Sequence, residues 1–221
     1  MADLSKITDF KTELINCLLA YLAPIGYKYN KSKEMFSMSE EEYNYKIFVY
    51  TNKRSRTIAV ETKGYISFNK LDKKFKNNSI TNLDIGLCGG GGKAICEKYF
   101  KQKYWNEYPE MQFYFEGVDK IDKIIDAWKS DFEQYYVPFF NECKSPFQIN
   151  EIVNGNIEEV GLCHTFKAKV MYSLDIAKMA SVSNSDLLKL VSQYENYLKN
   201  KFDDGGRLLN AFLANKELFF K

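Results

Sequence analysis

Two stretches in the first third of the chain alternate apolar and polar residues over the length of a strand. Tyr43, Tyr45, Ile47 and Val49 fall on one side of residues 43–50, and Ile58, Val60, Thr62, Ile66 and Phe68 keep even-position alternation over 58–68. Successive side chains of a strand point to opposite faces, so each stretch offers one face to a core. Between them Asn52-Lys53-Arg54-Ser55-Arg56 is short and polar, which predicts a hairpin. Gly64 keeps the register at a place where a bulge or bend is expected. Phe36 and Met38, set off by the turn Ser39-Glu40-Glu41-Glu42, predict a strand ahead of the pair; Leu83, Ile85 and Leu87, then Met111, Phe113 and Phe115, predict two more. Short strands in succession favour an antiparallel meander of four to five strands with one face against helices.

Helical spacing surrounds this sheet. Leu4, Ile7, Phe10, Leu14, Leu18 and Tyr21 recur every three or four residues; Asp3 can cap the start, and Pro24 and Gly26 end the run. From Val118 the period is again helical, through Ile121, Ile125, Trp128, Phe132, Tyr135 and Phe139, with Pro138 expected to kink or end the helix. Ser145-Pro146 reads as an N-cap with proline in the first turn. Ser183-x-x-Asp186 resembles a capping box ahead of Leu187, Leu190, Val191, Tyr194, Tyr197 and Leu198. Asp203-Asp204-Gly205-Gly206 turns the chain into a last helix carrying Leu208, Leu209, Phe212 and Leu213. The reading is α+β: an N-terminal helix, an antiparallel meander with a long helix packed on it, and a helical C-terminal part. It divides into residues 1–143, an α+β sheet domain, and 144–221, a helical subdomain.

Composition removes several kinds of chemistry. His164 is the one histidine, so a Ser-His-Asp triad would have to run through it alone, and a two-histidine zinc site or a paired-histidine nuclease has too few members. Cys17, Cys88, Cys96, Cys143 and Cys163 are odd in number and contain no CxxC pair, against a zinc ribbon or a thioredoxin-like site. No apolar run approaches the roughly 20 residues of a membrane span, and Met1–Lys6 lacks the features of a secretion signal. Reduced thiols in a cytoplasmic protein, without metal, cofactor or membrane, fit these observations. The net charge of +2 divides into 18 Lys+Arg against 13 Asp+Glu over residues 1–115 and 13 against 16 thereafter. This is far from the basic excess of a dedicated nucleic-acid binder.

Cys88-Gly89-Gly90-Gly91-Gly92-Lys93-Ala94 calls a phosphate loop to mind, but Leu87 stands at the leading glycine and Ala94 at the magnesium-binding hydroxyl. Nucleotide hydrolysis has no site here. Four glycines ahead of a helix can still form a nest of N–H groups for an anion, or a loop tip without a ligand. Cys163 and His164 are adjacent, so their side chains diverge, and a nucleophile–base pair is disfavoured against packing. Asp119, Asp122 and Asp126 share a helical face with Lys120, Lys123 and Lys129, the pattern of a solvated surface.

The 17 Phe and 16 Tyr supply core area first. A second use is a recognition face, where aromatics are enriched. Two basic segments with aromatics, Lys53–Lys76 and Lys98-Tyr99-Phe100-Lys101-Gln102-Lys103-Tyr104-Trp105, make single-stranded nucleic acid the alternative partner, although no named nucleic-acid motif is present.

Leu22-Ala23-Pro24-Ile25-Gly26-Tyr27-Lys28, followed by Met35-Phe36, resembles the opening of a group of bacterial α+β domains similar to proteins found beside polymorphic toxins. The resemblance spans about residues 1–50. It implies an immunity role: a non-catalytic inhibitor that binds a cognate toxin or effector directly. No site residue follows from the resemblance. From the sheet and loops themselves, the expected contacts are Tyr43, Tyr45, Tyr50, Arg54, Arg56, Gly89, Gly90, Gly91, Gly92 and Lys93.

Overall fold

The computed structural model describes residues 4–54, 57–75, 86–105, 112–114, 121–202 and 206–220, and for 4–7, 52–54, 57–59 and 112–114 it describes the backbone. Asp3, Ser55, Arg56, Lys76, Leu83, Ile85, Met111, Phe115, Val118–Lys120 and 203–205 lie outside these residues. Described strands form one sheet in the order β1 (Lys28–Asn30), β2 (Met35–Ser39), β3 (Tyr43–Arg54), β4 (Thr57–Phe68), β5 (Cys88–Gly90), with β6 (Gln112–Tyr114) beside β4. β1–β2, β2–β3 and β4–β6 are antiparallel, with Phe36 opposite Ile47 and Ile58 opposite Phe113. The fold is therefore the expected α+β type, with one further short strand, β1, at the edge.

By internal contacts the chain forms two compact units: residues 1–40, 44–64 and 90–139, and residues 41–43, 65–89 and 140–221.

In the first unit, helix α1 (Leu4–Leu22) buries Phe10, Leu14, Leu18 and Leu22, as its spacing predicts. It ends through a 3-10 turn at Ala23–Ile25. Gly26 takes φ +100°, its N–H donates to Ala23 O, and Tyr27 N–H donates to Leu22 O, which closes the helix end in a Schellman arrangement. The sheet contributes Phe36, Tyr45, Ile47, Val49 and Val60 to the core. Helix α4 (Ile121–Asp131) adds Ile121, Ile124, Ile125 and Trp128 and packs against α1, where Tyr21 meets the Trp128 and Phe132 rings edge-on. Helical structure continues past Pro138 to Glu142 through a π-helical stretch, Phe132–Tyr136, and helix α5 (Val137–Glu142). Val137 N–H reaches back to Phe132 O, a wider turn than an α-helix makes. Proline has no N–H to give the carbonyl four residues back and its ring crowds that carbonyl; widening the preceding turn lets the helix carry Pro138 instead of stopping there.

In the second unit, helix α2 (Asn69–Phe75) follows β4, and helices α6 (Pro146–Asn154), α8 (Asn184–Asn200) and α9 (Arg207–Phe219) pack around α7 (Phe166–Met179). Ser183 caps α8 as its sequence predicts: its Oγ accepts from Asp186 N–H at 3.2 Å and donates to Asp186 Oδ2 at 2.7 Å. Pro146 opens α6 at its first position, but the Ser145 side chain makes no capping bond. Thr165 caps α7, accepting from Ala168 N–H at 3.0 Å. α7 is buried on nearly every side, including Lys169, which is 1% exposed. Its ammonium donates to the carbonyls of Asn156 and Glu159, so the loop after α6 closes over a buried cation whose pKa burial pulls down.

Candidate partner-binding interface

The glycine run does not stand free. Cys88–Gly90 is strand β5, and Gly91 precedes a single helical turn, α3 (Gly92–Ala94), which runs into a π-helical stretch at Ile95–Tyr99. Gly92 is buried, and a Cβ at that position would stand 2.8 Å from Oδ2 of Asp131. That carboxylate is held from the other side by Tyr104, whose hydroxyl donates to Oδ2 at 2.6 Å. The space an external anion would need beside Gly92 is thus taken by the protein's own carboxylate. Close approach of backbone and side chain explains the glycine here.

Below this point the long helix is bonded to β4. Trp128 Nε1–H donates to Thr62 Oγ1 and Tyr136 O–H donates to Thr62 O, each at 3.1 Å. Burial raises the Tyr136 pKa well above the usual phenol range, against the lowering effect of the hydrogen bonds at Thr62 and Gly92. Tyr135 is pushed up to about 12, first by burial and then by its bond to Cys96. Both phenols are therefore neutral donors at physiological pH.

From this base the segment Lys93–Trp105 runs along the surface. Its inward groups are committed: Tyr99 meets Phe139 edge-on at 5.0 Å, Tyr104 contacts Asp131 and Tyr135, and Cys96 Sγ donates to Gln102 O. Gln102 N–H and Phe100 N–H close the turn onto Cys96 O and Ile95 O. The outward groups are Lys93, Lys98, Lys101 and Lys103, with one acidic residue, Glu97, and Trp105. Trp105 is 84% exposed, whereas Trp128 is 2% exposed. A tryptophan with its indole in water, at the end of a braced segment that carries four exposed lysines, is an unusual surface, because indole burial is favourable by kilocalories.

The residues expected at a partner surface are distributed differently. Tyr45 is 2% exposed and its hydroxyl donates to Glu40 Oε2 at 2.9 Å, so it belongs to the core. Tyr43 is half-buried, packs on Phe68 and donates to Lys144 O at 2.7 Å. Tyr50 is half-buried and stacks on Phe48, with the Lys63 ammonium 5.6 Å from its ring. Gly89 is buried in the second unit, donating to Leu162 O; Gly90 and Gly91 are half-buried, and Lys93 is exposed in the first. The side chain of Arg54, like Arg56, lies outside what is described. Trp105 was visible in sequence only as the end of a basic aromatic segment, and nothing in its spacing shows which aromatic of Tyr99, Phe100, Tyr104 and Trp105 faces water.

His164 meets the Tyr65 ring edge-on at 5.3 Å, and Cys163 turns to Cys88, so the two neighbours diverge as their adjacency predicts. Among the described residues no group of three or more His, Cys, Asp or Glu side chains is placed to hold a metal ion, and no helix is long and apolar enough to cross a membrane. A pocket of about 490 Å³ lies between the loop 154–158 and α8 and is lined by amides, Tyr197 and the Lys201–Glu158 ion pair. The chain matches no protein-family model, and no curated protein or solved structure matches it.

Proposed function

We propose that this chain is a non-catalytic binding protein of the bacterial cytoplasm that neutralises a toxin or effector by direct contact, and that Lys93–Trp105 makes the contact. The observation that carries the reading is Trp105, 84% exposed on a segment whose other aromatics, Tyr99, Phe100 and Tyr104, are half-buried. Interfaces draw much of their energy from a few Trp, Tyr and Arg residues that become fully desolvated. The four exposed lysines of the same segment call for a partner with an acidic face, which they would steer toward this segment. The class of partner comes from the resemblance at Leu22–Lys28 and Met35-Phe36, where a helix closed by Gly26 leads into the short strands β1 and β2.

A single nucleic-acid strand is less suited to this surface. Sequence-tolerant strand binding uses several aromatic platforms in succession. On this segment Tyr99 and Tyr104 are spent on internal contacts and Phe100 is half-buried against Tyr99, which leaves Trp105 as its one fully exposed aromatic. Co-expression with the product of the adjacent gene tests the proposal: a stable complex that survives gel filtration is expected, and two proteins that elute separately at micromolar concentration would overturn it.

A further inference from the structure

Cys88 and Cys163 face each other across an isolated antiparallel bridge within the second unit. The bridge is flanked by Gly89 N–H donating to Leu162 O at 2.7 Å and His164 N–H donating to Leu87 O at 3.1 Å. Bonds that bracket a residue pair on both sides define the non-hydrogen-bonded position of an antiparallel ladder. There the Cα atoms are about 4.5 Å apart and the side chains lean together. Disulfides span Cα separations of about 4.4–6.8 Å, so this position accepts a cross-strand bond with little backbone movement. Both thiols are free, they are 0% and 5% exposed, and their sulfurs are within hydrogen-bonding reach.

We infer that Cys88–Cys163 is an oxidation site: a dithiol that closes to an intramolecular disulfide when a small-molecule disulfide such as oxidised glutathione is in excess. One cysteine thiolate attacks the reagent's S–S bond and expels one glutathione thiolate, leaving a mixed disulfide. The second cysteine thiolate attacks the protein sulfur of that mixed disulfide and expels the second glutathione. The protein pair loses two electrons and two protons, and the reagent leaves as two thiols. The product ties the strand entering the glycine run to the segment that starts α7. Because the sulfurs lie in the interior and burial keeps Cys88 protonated, the first attack comes from a locally opened state, and closure is slower than capping of the half-buried Cys17.

The test is to equilibrate the full chain in glutathione buffers, quench with acid, unfold it and alkylate all remaining thiols. Reduced protein takes five alkyl groups. With oxidised glutathione in excess, loss of three alkylations (one to a glutathione mixed disulfide at Cys17, two to a peptide linking Cys88 to Cys163), a Tm several degrees higher and full reversal by dithiothreitol are expected. Cys163→Ala is expected to remove the linked peptide and the Tm rise together. Five alkylated thiols throughout would overturn the inference, as would a link between Cys88 and its neighbour Cys143, or mixed glutathione disulfides that persist at both cysteines. The linked-peptide readout uses the native chain, so it decides the question even where an alanine variant fails to fold.

Discussion

Gly92 and Asp131 compete for the same space: a Cβ on the glycine would lie 2.8 Å from Oδ2 and 3.2 Å from Cγ of the aspartate. Asp131 has little freedom to yield, because Tyr104 O–H holds the same oxygen at 2.6 Å. Gly92→Ala is therefore expected to destabilise by about 1–3 kcal/mol, the usual cost of overpacking. Asp131→Ala in the same chain should recover much of that loss, a coupling that a double-mutant cycle in urea measures. Gly91→Ala is the contrast. Its Cβ would meet only Thr62 O, at 3.5 Å, in extended backbone, and a change within about 1 kcal/mol is expected.

Thr62 joins β4 to the long helix through two different atoms. Thr62→Val keeps the shape and removes the acceptor for Trp128 Nε1–H, leaving that donor buried and unpaired. A loss of about 1–3 kcal/mol is expected in equilibrium unfolding, with a shift in Trp128 fluorescence. An unchanged midpoint would mean that the indole finds another acceptor.

Two buried tyrosines should respond oppositely to loss of the hydroxyl. Tyr194 O–H donates to Asn154 Oδ1 at 3.0 Å, and Tyr194→Phe is expected to cost about 1 kcal/mol. The Tyr172 hydroxyl is buried with no hydrogen-bond partner among the described residues, and Tyr172→Phe is expected to be neutral or to raise the midpoint.

Alkali should unfold the protein cooperatively. Burial is the main cause that raises the pKa values of Tyr27, Tyr136, Tyr172 and Tyr194 above the ordinary phenol value of 10.0. A group raised in the folded state contributes stability that is whole below its unfolded pKa. That stability is lost as pH rises, because only the unfolded chain releases the proton. Stability is thus expected to be insensitive to these groups below about pH 9. Above pH 10 each buried tyrosine removes about 1.4 kcal/mol per pH unit. Absorbance at 295 nm should show their ionisation coinciding with loss of circular dichroism; gradual ionisation of a folded protein would contradict it.

Much of the fold was legible where local rules and burial agree. Gly26 ended α1, Ser183 capped α8, and the alternation of Val60, Thr62, Ile66 and Phe68 marked one buried face of β4, although Tyr65 and Ser67 on its other face are buried too. Helix α7 left no comparable trace, because Val170, Met171, Tyr172, Ser173, Leu174, Ile176 and Ala177 are all buried and no polar stripe survives to show a period. The site was harder still. Alternation assigns Tyr43, Tyr45, Ile47 and Val49 to one face but cannot say that a second layer covers it. The glycine run could equally have been a nest or a packing site until Asp131, far along the chain, was seen beside Gly92.

The most direct test of the account is the affinity of the purified chain for the adjacent gene's product, measured by calorimetry for the native protein, Trp105→Ala and Lys98→Glu/Lys101→Glu. Loss of a central aromatic anchor costs at least about 2 kcal/mol, so Trp105→Ala should weaken binding by about 30-fold or more. The charge reversal should slow association and flatten its salt dependence. Equal affinities for all three proteins, or no complex while a single-stranded oligonucleotide binds at low salt, would contradict the assignment of Lys93–Trp105 as a protein-binding surface.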